Sequence, residues 1–200
     1  MQSSKHARVS SLTPRRAASA YPAASAPRAD ADATPTFASP EEERKAAEQA
    51  ALRILGGAAQ SESALSRRLQ RRGFSEEAAS AASAAAVRSG YVNDTALARS
   101  IVDRRRTRRG TARIAAELRA RGLDSDTVTA ALDSVSPEEQ QESAVREVRR
   151  RLRDGLPENP ADRRRLLGKT GAALSRLGFR ADVIAHALHT VAIEDPEEAA

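Results

Sequence analysis

The chain has 200 residues, 40% hydrophobic but only 2% aromatic, with no cysteine and no tryptophan. That length fits one or two small domains, and the missing cysteines exclude disulfides, thiolate catalysis and cysteine-ligated metal sites. Lysine and arginine number 33 against 27 acids, a net charge of +6, which favours polyanionic partners such as nucleic acid or an acidic protein face. Strand formers are sparse while Ala, Arg, Leu and Glu abound, so the expected class is all-α. No apolar run approaches the ~20 residues of a membrane helix. The N-terminus lacks a signal-peptide core, so a cytoplasmic protein without membrane contact is expected.

Residues 1–38 are Ala, Ser, Pro and Arg with almost no large apolar side chains. Such a segment buries too little surface to offset its ordering entropy, so it reads as a disordered, mildly basic tail. A solubilising tail explains it; a phosphate-contacting arm built on Arg8, Arg15, Arg16 and Arg28 is the sharper alternative.

Ser39-Pro40-Glu41-Glu42 then opens a helix, and Ser136-Pro137-Glu138-Glu139 opens another in the same way. The serine caps free N–H groups, the proline suits the first helical position, and the glutamates complement the positive end of the dipole. A second repeat is more informative. Leu69-x-x-x-Gly73-Phe74, Leu118-x-x-x-Gly122-Leu123 and Leu174-x-x-x-Gly178-Phe179 recur roughly every 50 residues. Each glycine can take the left-handed conformation that ends a helix, with the next apolar residue folding back on the last turn. Ser75 and Asp124 are suited to cap the following helices, whereas Arg180 caps poorly.

The helices after these glycines carry a core face at i, i+3, i+4, i+7. Val128, Ala131, Leu132 and Val135 form one and Ile184, Ala187, Leu188 and Val191 another, while Ala79, Ala82 and Ala86 make a thinner first copy. Two further helices precede each glycine, which gives three-helix modules at about 40–90, 91–135 and 136–193. The expected architecture is three tandem modules in an elongated, curved array over residues 39–193, each leaning on its neighbours for a core. Residues 194–200 read as an acidic frayed end.

Charge concentrates between the first two modules' repeats. Arg99, Arg104, Arg105, Arg106, Arg108, Arg109 and Arg113 share fifteen residues with one acid, Asp103. Consecutive arginines point around a helix and cannot all find i, i+4 partners. Their mutual repulsion is relieved by a nearby anion, and guanidinium holds phosphate or carboxylate in a bidentate grip. Gly110 is expected to break the helix and leave Arg113 leading the next. A polyanion-contact patch and an ordinary basic surface are equally compatible with this composition. Smaller clusters are Arg149, Arg150, Arg151 and Arg153, then Arg163, Arg164, Arg165 and Lys169. Aromatics for base stacking are nearly missing, so any DNA contact should run to the backbone and depend steeply on salt.

No catalytic constellation stands out. His186 and His189 lie three apart, but few acids accompany them, so partly packed or surface histidines are expected rather than a metal site. Gly56-Gly57 and Gly110 lack the Lys-Ser/Thr of a phosphate loop. The chain reads as a non-enzyme without cofactor or metal.

The motifs together resemble the RecX family of recombinase regulators. The likeness runs from about Glu42 to Val191. Its most specific part is Gly90-Tyr91-Val92-Asn93-Asp94, then Ala98, the basic stretch, Gly110, and Arg113-Ile114-x-x-Glu117-Leu118-x-x-x-Gly122. Ala51 to Leu55 with Ser61-Glu62, Leu65, Leu69, Gly73 and Phe74 is similar to the family's first module. Leu174, Gly178, Phe179 and Ile184 are similar to its last. Ala59, Gln60, Ala64 and Leu97 depart from the family's usual residues. The resemblance implies a regulator of DNA repair that binds the RecA–single-stranded DNA filament, with free DNA as a further partner to test, and restrains filament growth, ATP hydrolysis and strand exchange; no long heptad seam calls for a coiled-coil dimer, so a monomer is expected. The contact candidates are Arg99, Arg104, Arg105, Arg108, Arg109 and Arg113. Tyr91, Asn93, Asp94, Gly110, Ile114, Glu117, Leu118, Gly122, Gly73, Phe74, Gly178 and Phe179 are the family's structural positions. A nonspecific DNA-backbone binder acting without RecA is the competing expectation.

Overall fold

The computed structural model describes residues 36–194; residues 1–35 of the expected tail and residues 195–200 of the acidic end lie outside it. The described residues form nine α-helices and no strand. Helices α1 (Pro40–Gly57), α2 (Glu62–Gln70) and α3 (Glu76–Arg88) pack on one another, as do α4 (Asp94–Arg105), α5 (Thr111–Ala120) and α6 (Ser125–Leu132), and then α7 (Pro137–Arg151), α8 (Pro160–Arg176) and α9 (Ala181–Glu194). Each trio encloses its own cluster of buried side chains, so the chain is built of three three-helix modules, as its repeats predict.

Local signals explain where the helices start and stop. Ser39, Ser61, Ser75, Asn93, Asp124, Ser136 and Asn159 all accept backbone N–H groups of the first turn. Ser136 and Glu139 complete a reciprocal capping box. Gly73, Gly122 and Gly178 have φ of 89°, 83° and 86°. The residue after each donates its N–H to the leucine five positions back, at 3.3, 3.3 and 3.2 Å, which is the Schellman closure the repeats predict.

The cores differ in thickness. The first is mostly alanine, with Ala47, Ala50, Ala51, Ala78, Ala79, Ala82 and Ala86 around Ile54, Leu65, Leu69 and Val92. Small side chains let α1 and α3 approach closely but bury little apolar area per residue. The second core centres on Ile101, Ile114, Leu118 and Val128, and the third on Val148, Leu174 and Phe179. On α9 the buried row is Val183, Ala187 and Val191, while Ile184 and Leu188 are only half-buried. The periodicity puts Ile184 and Leu188 on the core face together with Ala187 and Val191. They sit to one side because they lie over Gly171 of α8, which offers no side chain to enclose them.

The modules are joined through the ends of their middle helices. Ser61 Oγ, at the start of α2, donates to Arg121 O, at the end of α5, over 2.6 Å. Gly110 N, at the start of α5, donates to Leu177 O, at the end of α8, over 3.0 Å. In both joints a carbonyl-rich helix end meets an N–H-rich one, the attractive pairing of helix dipoles.

Candidate polyanion-contact site

The arginine-rich stretch spans two elements and the turn between them. α4 already ends at Arg105, five residues before the expected break at Gly110. Arg106 to Arg109 form a turn closed by Arg106 N to Val102 O at 2.8 Å and Arg109 N to Arg105 O at 3.0 Å. Gly110 has an ordinary φ of −72° and caps α5 without a side chain. It therefore does not break a helix through backbone freedom. A Cβ there would collide with the Gly178 carbonyl, so its role is to admit the third module.

The turn is fastened from the far side by residues that carry no local signal of that role. Ser143 Oγ of α7 donates to Arg106 O over 3.0 Å, and Thr111 N donates to Gln140 Oε1 over 3.1 Å. Arg106 bridges Glu139 of α7 at 3.3 Å and Asp103 at 3.5 Å. Together with the Gly110–Leu177 bond, these contacts hold the basic turn at the junction of the second and third modules. Only the serine-proline cap of α7 is legible in sequence; that its next turn crosses a loop some 30 residues upstream has no local signal.

The arginines divide into two sets. Arg105 grips Glu117 of α5 in a bidentate fork, with Nε–Oε2 and NH2–Oε1 both 3.2 Å, and Arg121 adds a contact to Glu117 at 3.4 Å. Burial raises the Glu117 carboxyl, but the Arg105 hydrogen bond and the charges of Arg105, Arg121 and Arg109 outweigh it and hold the carboxyl below its ordinary range. Arg104 turns back to its own helix, donating from Nε to Ser100 O at 3.0 Å. Arg104, Arg105 and Arg121 line a hollow of about 310 Å³ together with Glu117, Leu97 and Ile101. Arg99, Arg108 and Arg113 make no ion pair or side-chain hydrogen bond among the described residues, and Arg109 makes none beyond its longer-range pull on Glu117. Arg108, Arg109 and Arg113 cluster on the turn and first turn of α5, while Arg99 stands apart on α4.

The motif residues mostly build the scaffold of this site. Ile114 and Leu118 are fully buried in the second core. Asn93 caps α4 by accepting from Ala96 N at 2.8 Å. Asp94 reaches across to the first module and accepts from Glu62 N at 3.1 Å. Burial, with the neighbouring charges of Glu62 and Asp124, raises the Asp94 carboxyl despite the Glu62 N–H that favours its ionised form. Phe74 packs on the first core and stacks on Phe37, with centroids 5.6 Å apart. Phe179 is buried in the third core. Tyr91 differs: it is 65% exposed at the rim of a shallow alanine-floored groove with Leu52. The preceding Gly90 reverses the chain so that Val92, not Tyr91, enters the core.

His186 and His189 are both exposed. Among the described residues no group of three histidine or carboxylate side chains is arranged to hold a metal, and no helix is long and apolar enough to cross a membrane.

Two family models match the chain, the second three-helix domain of RecX at residues 93–132 and the first at residues 47–82. The regulatory protein RecX of Stenotrophomonas maltophilia (strain R551-3) is 36% identical over 159 residues, which is 79% of this chain and 94% of that protein. The regulatory protein RecX of Thermobifida fusca is 40% identical over 117 residues, 58% of this chain and 63% of that protein. Among solved structures, RecX from Lactobacillus salivarius superposes with a TM-score of 0.68 at 19% identity, over 76% of this chain and 99% of the other, a likeness of fold.

Proposed function

The chain belongs to the RecX family of regulatory proteins, and from that premise we propose that it binds the RecA–single-stranded DNA filament and restrains filament growth, ATP hydrolysis and strand exchange. It works by contact, without catalysis or cofactor. The observation that carries this reading beyond family membership is the division of the arginines. Arg105 and Arg106 are paired internally, whereas Arg108 and Arg109 on a turn held at a module junction, and Arg113 on the first turn of α5 beside it, remain available, with Arg99 unpaired farther back on α4. Because the backbone of the turn is already held, the ordering cost of meeting phosphate or carboxylate falls on the arginine side chains alone, which favours a firm electrostatic contact.

The test is single-stranded-DNA-dependent ATP hydrolysis by the cognate RecA, titrated with this protein. Inhibition well below one molecule per recombinase subunit supports action on the filament. Inhibition that appears only as bare DNA becomes saturated assigns the protein to plain DNA-backbone binding instead.

A further inference from the structure

The hollow lined by Arg104, Arg105 and Arg121 is shared by two modules, because Ala58 and Ala59, from the link between α1 and α2, also border it. Its charge is unbalanced. Three guanidinium groups share one carboxylate, Glu117, so two positive charges there have no carboxylate of their own. The charges acting on Glu117 are those of Arg105, Arg121 and Arg109, with no acid among them. Cations this concentrated repel one another, and an anion relieves the repulsion.

Arg105 is spent on its fork to Glu117, but the other two lining arginines are not. Arg104 makes no ion pair among the described residues. It donates from Nε to Ser100 O at 3.0 Å and from NH2 to Ser100 Oγ at 3.4 Å, which leaves several of its five N–H groups over. Ser100 thereby steadies the side chain and lowers the ordering cost of receiving an anion. Arg121 meets Glu117 through one nitrogen, at 3.4 Å, while its backbone carbonyl is tied to Ser61. Both side chains are exposed.

Two features select the anion. An excess of two positive charges matches a phosphomonoester, which carries nearly two negative charges at neutral pH, better than it matches a singly charged phosphodiester or carboxylate. Guanidinium forks also fit phosphate oxygens. The hollow, at about 310 Å³, lies at the small end of ligand sites, yet a bare phosphate ion would leave much of it to water. Leu97, Ile101, Ala58 and Ala59 give the remainder an apolar lining. The one carboxylate in the lining is held by arginine, and no amide side chain joins it, so nothing there reads a base edge.

We propose that this hollow binds a 5′-nucleotide, its phosphate on Arg104 and Arg121 and its sugar and base against Leu97 and Ala59, without selecting the base. Such a ligand touches the first and second modules together and raises the unfolding temperature as it saturates the site.

The test is calorimetric titration of the full-length protein with dTMP, inorganic phosphate and thymidine. dTMP should bind several-fold more tightly than inorganic phosphate, and thymidine should not bind. Affinity should fall with added salt, and also as pH drops below about 6, where the phosphomonoester takes up a proton. Arg104→Gln with Arg121→Gln should weaken dTMP binding several-fold at a nearly unchanged unfolding midpoint, since neither side chain is buried. Arg119→Gln removes an exposed arginine of α5 that does not line the hollow, and it should leave the affinity as it is. An equal loss in both variants would reduce the binding to a general charge effect and overturn the proposal. No binding of dTMP at millimolar concentration, or thymidine binding as tightly as dTMP, would overturn it as well. Inorganic phosphate equal to dTMP would leave the apolar lining without a role and overturn the nucleotide assignment. A 5′-phosphorylated oligothymidylate that outbinds its 5′-hydroxyl counterpart in the parent, and not in the double variant, makes the ligand a strand end. Equal binding of the two strands, with dTMP binding intact, makes it the free nucleotide. None of these readouts involves a recombinase, so failure here is distinct from failure of the regulatory reading.

Discussion

Gly110 and Gly178 meet backbone to backbone: a side chain on Gly110 would occupy the place of the Gly178 carbonyl, and one on Gly178 would strike Arg113, three residues into α5. The Gly110 N–H donates to Leu177 O at 3.0 Å, and Gly178 rests on the backbone of Arg113. A single methyl group at Gly110 therefore strikes a carbonyl that cannot swing away. Gly110→Ala should cost about 1–3 kcal/mol, the range for forcing a methylene into a filled site. It should also loosen the third module, so that urea transitions followed by different probes no longer coincide. Gly168→Ala is the control, since its methyl enters open space, and it should stabilise by up to about 1 kcal/mol through helix propensity. Equal midpoints for the two variants would show that the Gly110 joint is not tight.

The two sets of arginines should respond differently to charge reversal. Arg105→Glu places a carboxylate against half-buried Glu117, and it should destabilise the fold, by about 2 kcal/mol or more for an uncompensated, partly buried charge. Arg108→Glu with Arg109→Glu leaves every hydrogen bond of the turn in place, because none of those bonds is made by the Arg108 or Arg109 side chain. That double variant should keep its unfolding midpoint, weaken inhibition of RecA, and lower the salt slope of binding by roughly 2. A folded double variant that inhibits like the parent would remove this turn from the contact surface.

These contrasts also show which parts of the molecule are legible in sequence. Leu69, Gly73 and Phe74 announce a helix end because this closure lies within six consecutive residues. The all-helical modules followed from such local signals and from periodicity. By contrast, Arg105 and Arg108 are indistinguishable in a run of arginines. What separates them is Glu117, twelve positions from Arg105, lying within reach of one and not the other. Gly110 reads in sequence as a helix breaker and as a family position, yet its reason lies 68 positions away at Gly178. Tyr91 belongs to the same motif, and its exposure follows from Gly90, which turns Val92 rather than Tyr91 into the core.

Two carboxylates should titrate with opposite effects on stability. The folded Glu117 carboxyl lies below its ordinary 4.5, so its contribution is fully present above that value. The contribution is lost as pH falls from there through the depressed folded value. The folded Asp94 carboxyl lies above its ordinary 3.8. Its burial is a penalty at neutral pH, and the penalty is relieved as pH falls through the raised value towards 3.8. Glu117→Gln should lower the urea midpoint at neutral pH and flatten the acid side of the stability profile. Asp94→Asn keeps an oxygen for Glu62 N and should leave the neutral midpoint equal or higher. A loss for Asp94→Asn as large as that for Glu117→Gln would contradict the opposite signs.

Ser61 allows capping and joint formation to be separated in one position. Its Oγ accepts from Ala64 N at 3.1 Å, which caps α2, and donates its proton to Arg121 O at 2.6 Å, which ties the second module to the first. Only a hydroxyl can do both. Ser61→Ala removes both bonds and should cost about 1–2 kcal/mol, combining a lost cap with a lost hydrogen bond at a buried site. Aspartate caps helices as well as serine does, so a role limited to capping makes Ser61→Asp neutral. At this joint, however, the ionised carboxylate has no proton to offer Arg121 O and turns its negative charge on that carbonyl while buried beside Gly122. Ser61→Asp should therefore be less stable than Ser61→Ala, an inversion of the usual cap ranking. The ordering of three urea midpoints, parent above alanine above aspartate, checks it. An aspartate variant equal to the parent would mean that the two modules are held by the Asp94–Glu62 contact and by packing at Gly122 instead.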